Sequence, residues 1–203
     1  MQPDEKKCAI ILLAIAGAEG LWCVANIVGS PARFFQFTGF SGVPVHPLGW
    51  IGATVVAIVF TLLAARLPSV RANLLKPSVL KLLALAVAVT AGFCEEAVFR
   101  KFLIDRLSHA DYGAAIQILA SGVAFGAAHG IWGAIRGSIA AAVGATVATG
   151  ILGAALAVVY LASGRNVAPC IVAHFLINAF AEPGLVLAAV RGEMGMPKKA
   201  LTA

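Results

Sequence analysis

The chain has 203 residues, 61% hydrophobic and only 12% charged, with a formal net charge of +6 and a mean hydropathy of +0.95. Its 15 basic and 9 acidic side chains cannot cover the surface of a water-soluble domain, which carries about 25% charged residues, and the high hydrophobicity excludes disorder. Long unbroken apolar runs exclude a membrane β-barrel and leave an all-α fold, a polytopic transmembrane helix bundle.

Six apolar segments follow in chain order. The first runs from about Cys8 to Gly29, after Lys6 and Lys7. Ala14-Ile15-Ala16 resembles a signal-cleavage site, but the apolar run continues past it, so a retained helix is expected. The second covers Leu48 to Leu67, and the third runs from near Ser78 past two carboxylates to about Leu107. The fourth covers Tyr112 to Ile135, the fifth Gly137 to Ser163 and the sixth Asn166 to Val190. Each has the roughly twenty residues needed to cross about 30 Å of hydrocarbon. Pro31, Pro44 and Pro47 mark the first loop, Pro68 and Pro77 bracket the second, and Ser163-Gly164-Arg165-Asn166 reads as a tight turn. The expected organisation is a two-helix N-terminal region at 1–77, a main helix bundle at 78–190 and a short polar tail at 191–203.

Small residues recur every four positions at Gly122, Gly126 and Gly130, and again at Ala140, Gly144 and Ala148. Such ridges let helices approach closely in lipid, where no hydrophobic drive acts between them. Cys8, Cys23, Cys94 and Cys170 all lie in apolar stretches without a CxxC, and read as small buried residues rather than disulfides or a zinc cluster. The basic residues cluster at the ends of apolar runs, where they meet lipid head groups. No basic stripe with interleaved aromatics points to nucleic acid.

An ionisable side chain in hydrocarbon costs a few kcal/mol at least, so each one asks for a reason. Glu19 stands in the first segment, Glu95, Glu96 and Arg100 in the third, His129 in the fourth, and His174, Asn178 and Glu182 in the sixth. Glu96 and Arg100 are four apart, in the favourable order for an ion pair on one helix face. Glu95 is rotated from them by about 100° and lacks that partner, which suits a general base. Glu95 lies about 21 Å of helix rise beyond Lys81. A hairpin turning near Ala110-Asp111 brings its returning strand of helix past Glu95 close to His129. His174 and Asn178 share a face about 12 to 18 Å into the sixth segment. Four polar groups at similar depth point to a site rather than to separate helix contacts.

The series Glu95-Glu96-x-x-x-Arg100, Phe125-x-x-x-His129 and His174-x-x-x-Asn178, in that order on separate apolar segments, resembles the CAAX-protease and bacteriocin-processing membrane proteins (CPBP or Abi), which include the type II CAAX prenyl endopeptidases. The resemblance runs from about Lys81 to Asn178; Lys101 departs from it, where many members carry Gly. It implies a membrane-embedded endopeptidase in which Glu95 activates water, His129 helps to hold that water, and His174 and Asn178 stabilise the oxyanion. Glu96, Arg100 and Phe125 would be structural. No cofactor is expected. Zinc on Glu95, His129 and His174 is the second reading, against which stand the missing HExxH and the poor ligand quality of Asn. Cys94 acting as a nucleophile with His129 is a remote third. Two non-enzymatic readings remain beside these: a silent scaffold or immunity-type protein of the same fold, and a small proton or metal transporter.

The expected partners are membrane lipids and a peptide or protein substrate, with no nucleic acid, and the expected location is a bacterial plasma membrane. With six spans, Arg33, Arg100, Lys101, Arg106 and Arg165 lie on one face, and the remaining ten basic residues, Lys198 and Lys199 included, lie on the other. The positive-inside rule puts both termini in the cytoplasm. A site near the third and fifth loops would then open outward, against the cytosolic site of prenyl-processing relatives.

Overall fold

Helix boundaries follow the proline and small polar residues of the sequence. In a computed structural model describing residues 1–40 and 44–194, every regular element is helical. Proline stands in the first turn of α1 (Pro3–Gly29), α2 (Pro31–Phe37), α3 (Pro47–Ala64) and α4 (Pro68–Asn73), where its missing N–H costs no helical bond. The Ser78 side chain accepts from the Lys81 N–H at 3.1 Å to cap α5 (Val79–Glu96). A π-helical stretch, Ala97–Phe102, follows without a break and leads into α6 (Leu103–His109). Gly130 separates α7 (Ala114–His129) from the short α8 (Ile131–Arg136), which ends at Gly137 with φ +66°. Then come α9 (Ile139–Ala162), capped by Ser138, and α10 (Ala168–Ala181) with α11 (Gly184–Arg191).

Five helical units are long and apolar enough to cross a membrane: Pro3–Gly29, Pro47–Ala64, Val79–His109, Ala114–Arg136 and Ile139–Ala162. The α10–α11 pair makes a sixth if its 54° bend belongs to one span. The polytopic all-α bundle read from the sequence is therefore the observed fold. Three details differ from that reading. The sixth segment is two helices, because Pro183 cannot continue α10. The proline-marked loops hold the short helices α2 and α4, each started by the proline that had suggested a loop. Of the small residues, Gly122 and Gly126 abut α9 at Gly150, while Gly144 and Ala148 line a cavity instead.

Lipid-facing stripes are explicit on the outer helices. On α3, Leu48, Ile51, Val55, Ile58 and Leu62 are exposed while Gly49, Ala53 and Ala57 face inward. Two buried clusters lie behind these stripes. One joins α3, α7, α9 and α10 around Leu156, Tyr160 and Phe125, and the other joins α1, α5 and α11 around Leu12, Ala84 and Val186. The first two long helices thus pack directly on the later ones, α1 on α5 and α11, and α3 on α9 and α10. All four cysteines are free thiols, and Cys8, Cys23 and Cys170 are buried. Residues 195–203 of the expected tail lie outside the described residues, and so do Lys198 and Lys199.

Candidate active site

The two adjacent glutamates end α5 and have different fates. Glu96 points into protein and is fully buried. Its Oε2 lies 2.8 Å from Arg100 Nε, four residues on, and its Oε1 lies 2.8 Å from His174 Nδ1. Arg100 is also fully buried, and its guanidinium sits 4.5 Å from the centre of the Phe125 ring. The π-helical stretch that carries Arg100 leaves backbone to be satisfied from outside, and Ser121 of α7 donates to the Phe99 carbonyl at 3.0 Å.

Glu95 faces the other way, with its side chain 21% exposed, against 0% for Glu96. Its Oε2 lies 3.8 Å from His129 Nε2 and 3.9 Å from His174 Nε2. Each imidazole is held through its other nitrogen. His129 Nδ1 is 2.8 Å from the Phe125 carbonyl, which can only accept, so Nδ1 carries the proton and Nε2 presents a lone pair. His174 Nδ1 is likewise engaged by the Glu96 carboxylate. With Glu96 on Nδ1, its Nε2 donates only from the imidazolium form.

Phe125 is the hub of this arrangement and is 1% exposed. Its ring meets Phe99 edge-on at 5.1 Å and His129 at 4.5 Å, and His174 edge-on at 5.8 Å, besides carrying the Arg100 guanidinium. Asn178 follows His174 by one turn of α10 and lines the same cavity as Glu95, His129 and His174. The seven motif residues Glu95, Glu96, Arg100, Phe125, His129, His174 and Asn178 therefore come together.

Zinc needs ligands closer together than these. Tetrahedral ligands about 2.0–2.1 Å from zinc stand about 3.3 Å apart, whereas Glu95 Oε2 is 3.8 and 3.9 Å from the two imidazole nitrogens. Among the described residues no three His, Cys, Asp or Glu groups form a metal-holding cluster. The residues as arranged do not fit zinc.

Glu19 was seen in the sequence but not assigned to the site. The close packing of α1 on α5 fixes it against Thr90, five residues before Glu95: a Cβ at Gly20 would lie 3.5 Å from Thr90 Cγ2, and the Thr90 hydroxyl donates to Glu19 Oε2 at 3.0 Å. The signal was available, since Glu19 is the only charged residue between Lys7 and Arg33.

The cavity that holds the four polar groups has a volume of about 500 Å³. Its lining comes from the C-terminal end of α3 (Phe60, Leu67), the start of α9 (Ala141, Gly144) and the α10–α11 corner (Glu182, Leu185). Among the described residues none from 96–124 or 153–173 lines it. The cavity therefore descends from Glu95 toward the face that carries Arg66, Lys81 and Arg136, away from the third and fifth loops. Depth along single helices had suggested the near loops, but the room between helices lies on the other side of the site.

The family model of Rce1-like type II CAAX prenyl endopeptidases matches residues 77–180, from just before α5 nearly to the end of α10. No curated protein matches the chain, and no solved structure does. The match spans half of the chain and holds Glu95, Glu96, Arg100, Phe125, His129, His174 and Asn178, so the chain belongs to the Rce1-like type II CAAX prenyl endopeptidase family, a family of membrane-embedded proteases.

Proposed function

We propose that this protein is an intramembrane endopeptidase that hydrolyses a peptide bond with a glutamate-activated water and no metal. The observation that carries this reading is the convergence of Glu95 Oε2 with both imidazole Nε2 atoms, 3.8 and 3.9 Å away, at the inner end of a largely apolar cavity. Those gaps exceed a direct hydrogen bond and suit a bridging water.

In the proposed reaction the water gives one hydrogen bond to Glu95 and one to the His129 Nε2 lone pair. Glu95 takes a proton as the water oxygen attacks the scissile carbonyl. The carbonyl oxygen becomes an oxyanion facing the Asn178 amide and the Nε2–H of His174. His174 acts here as imidazolium, with Glu96 compensating its charge. Glu95 then returns the proton to the departing amine, the C–N bond breaks, and the carboxylate is regenerated. Counted outward, Arg100, Glu96, His174 and Glu95 alternate in sign and sum to zero, as a site of low dielectric requires.

The family points to a substrate near a lipid anchor, and apolar walls such as Phe60, Leu67 and Val87 suit one. We read the cavity as entered from the face toward which its lining runs, the face that holds most of the basic residues. The positive-inside rule makes that face cytoplasmic, which brings the charge count into agreement with cytosolic prenyl processing. The reading places the protein in a bacterial plasma membrane, with the helices of 1–77 completing the cavity through Ile15 and Phe60. The test is cleavage of a farnesylated peptide ending in a CAAX sequence. Wild type should cleave it, and Glu95→Gln should abolish cleavage while keeping the wild-type melting temperature. Cleavage by Glu95→Gln at the wild-type rate would overturn the assignment of Glu95 as base. A wild type that leaves the peptide intact would overturn the substrate class.

A further inference from the structure

Away from the catalytic groups, the cavity runs along α8 toward a basic end. The helices α7 and α8 form one apolar unit, Ala114–Arg136, interrupted only at Gly130. His129, Trp132 and Arg136 stand at i, i+3 and i+7 along it, so they share one helix face. His129 and Trp132 line the cavity, and Met194 lines it from just beyond the end of α11. Arg136 follows on the same face, about 10 Å of helix rise past His129.

The Arg136 guanidinium lies flush on the backbone of Gly192. A Cβ at Gly192 would fall 2.7 Å from Arg136 Cζ and 2.8 Å from its Nη2, so any side chain there would displace it. Gly192 has φ +77°, which ends α11 two residues before Met194. The guanidinium therefore sits beside two cavity-lining residues, Trp132 one turn back on α8 and Met194 just past Gly192. Its Nε is buried and has no hydrogen-bond partner. Among the described residues no carboxylate forms an ion pair with Arg136. The acids at this end of the protein have other partners. Glu193 accepts from the Ser69 N–H and hydroxyl, Asp4 faces Arg191 at 3.8 Å, and Glu182 accepts from the Val186 N–H at 3.3 Å. A half-buried cation without an anion is costly, and an incoming anion relieves that cost.

We propose that Arg136 binds the free C-terminal carboxylate of the peptide substrate and thereby fixes which bond meets Glu95. A guanidinium takes a carboxylate through two parallel hydrogen bonds, a geometry that also sets its orientation. The lengths agree. Three extended residues span about 10 Å, the same as the helix rise from His129 to Arg136. With its carboxylate on Arg136, a peptide presents the bond three residues from its end to the catalytic groups. Trp132, Leu185 and Met194 supply apolar surface for the side chains in between. A single guanidinium at the end of a cavity that leads to the catalytic groups suits a peptide terminus, whereas a lipid phosphate is met by several cations on a lipid-facing surface. This role rests on the reading of the cavity as a peptidase site.

The test compares two farnesylated CAAX peptides on the full chain in detergent, one ending in a free carboxylate and one in an amide. Wild type should cleave the free acid with a kcat/KM about tenfold or more above that for the amide, mostly through KM, as expected for hydrogen bonds between charged groups. Arg136→Gln should lose the preference and cleave both peptides at about the wild-type rate for the amide. Arg136→Lys, which keeps the charge without the planar fork, should fall between. A purely structural Arg136 would lower the melting temperature and slow both peptides alike, and that result overturns the proposal. So does an Arg136→Gln variant that keeps the preference, or a wild type indifferent to the amide, the result expected if Arg136 serves a lipid phosphate. The second readout is equilibrium binding of the two labelled peptides to Glu95→Gln by fluorescence anisotropy, which needs neither cleavage nor a change at Arg136. The acid should bind about tenfold or more tightly than the amide; equal binding, or binding of neither, overturns the proposal. If Glu95→Gln cleaves at the wild-type rate, the assignment of the base falls instead, and the acid-to-amide ratio still decides Arg136. A wild type that binds the acid selectively and cleaves neither peptide removes the peptidase reading and leaves Arg136 as a carboxylate site.

Discussion

Replacing Glu96 by glutamine removes one charge from a pair that is shut off from bulk solvent. Glu96 and Arg100 are both fully buried, with Nε and Oε2 2.8 Å apart. The arginine cannot shed its proton in response. None of its three guanidinium nitrogens has a hydrogen-bond partner among the described residues, so the Glu96 contact is an ion pair, and its remaining support is the Phe125 ring at 4.5 Å. Leaving a buried charge unpaired costs about 3 to 5 kcal/mol, and a desolvated cation–π contact returns about 2 kcal/mol at most, a contact that wild type already has. The expected loss for Glu96→Gln is therefore about 3 kcal/mol or more, a fall of about 6 to 12 °C in melting temperature for a chain of this size. Thermal melts of the detergent-solubilised variants measure it. Glu96→Gln combined with Arg100→Met should recover most of the loss, because a neutral, apolar replacement strands nothing. A Glu96→Gln variant that melts with wild type would refute the reasoning, and so would a double variant whose loss is the sum of the two single losses. Activity should not follow stability in the rescued protein. The double variant lacks the charge that supports the His174 imidazolium, so kcat should remain lower by roughly 10²-fold or more.

Asn178→Ala should lower kcat by about 10² to 10³-fold with little change in KM, and Asn178→Asp should be worse because it sets a carboxylate against a developing oxyanion; full turnover with a lowered melting temperature would return Asn178 to helix packing. At Gly126 a Cβ would fall on the Thr146 carbonyl oxygen and 3.0 Å from the Gly150 Cα, so Gly126→Val should push α7 off α9 at a cost of about 1 to 3 kcal/mol and displace His129, read as lost stability together with lost cleavage. Protein purified without added metal should hold substoichiometric zinc by elemental analysis and keep its activity in chelator; one bound equivalent whose removal and return switch activity would reinstate the zinc reading. A single cysteine introduced at Leu67 in a cysteine-free background should react with a membrane-impermeant maleimide from the cytoplasmic side of oriented vesicles only, and labelling from the opposite side would reverse the assigned topology.

What the sequence disclosed follows from what each feature depends on. Span number depends on apolar length alone, and every long span was legible from runs such as Leu48 to Leu67. The Glu96–Arg100 pair depends on spacing within one helix and was legible too, although a π-helical stretch carries Arg100. The convergence of Glu95, His129, His174 and Asn178 was anticipated from depth and from a family resemblance rather than from geometry. Helix rotation and tilt were not legible. They decide that Glu96, rather than solvent, holds His174 Nδ1, and that the open space lies toward Leu67 and Ala141 rather than toward the Gly164 turn. Proline misled in the short connections, because a proline that ends one helix also starts the next at α2 and α4.

The site behaves as one electrostatic unit rather than as a list of residues. Arg100 neutralises Glu96, Glu96 orients His174, and His174 faces Glu95, while Phe125 packs against both histidines and the arginine. Each member is buried or partly buried by the others, so removing one changes the charge state or the rotamer that its neighbours can hold. Single substitutions along the chain Arg100–Glu96–His174–Glu95 should then each lose most of what a combination loses, as groups acting together do. The Phe125 carbonyl adds a constraint that substitution of its side chain does not remove, since it holds His129 Nδ1 through the backbone. Phe125→Leu should therefore keep the His129 tautomer and lose the ring that supports Arg100 and the two imidazoles. His129 acts through geometry that α7 itself supplies, whereas His174 depends on a partner from α5. The pairing of α5 with α10 is accordingly the contact on which the proposed oxyanion site depends, and perturbing it, even away from Asn178, should fall on kcat before it falls on KM.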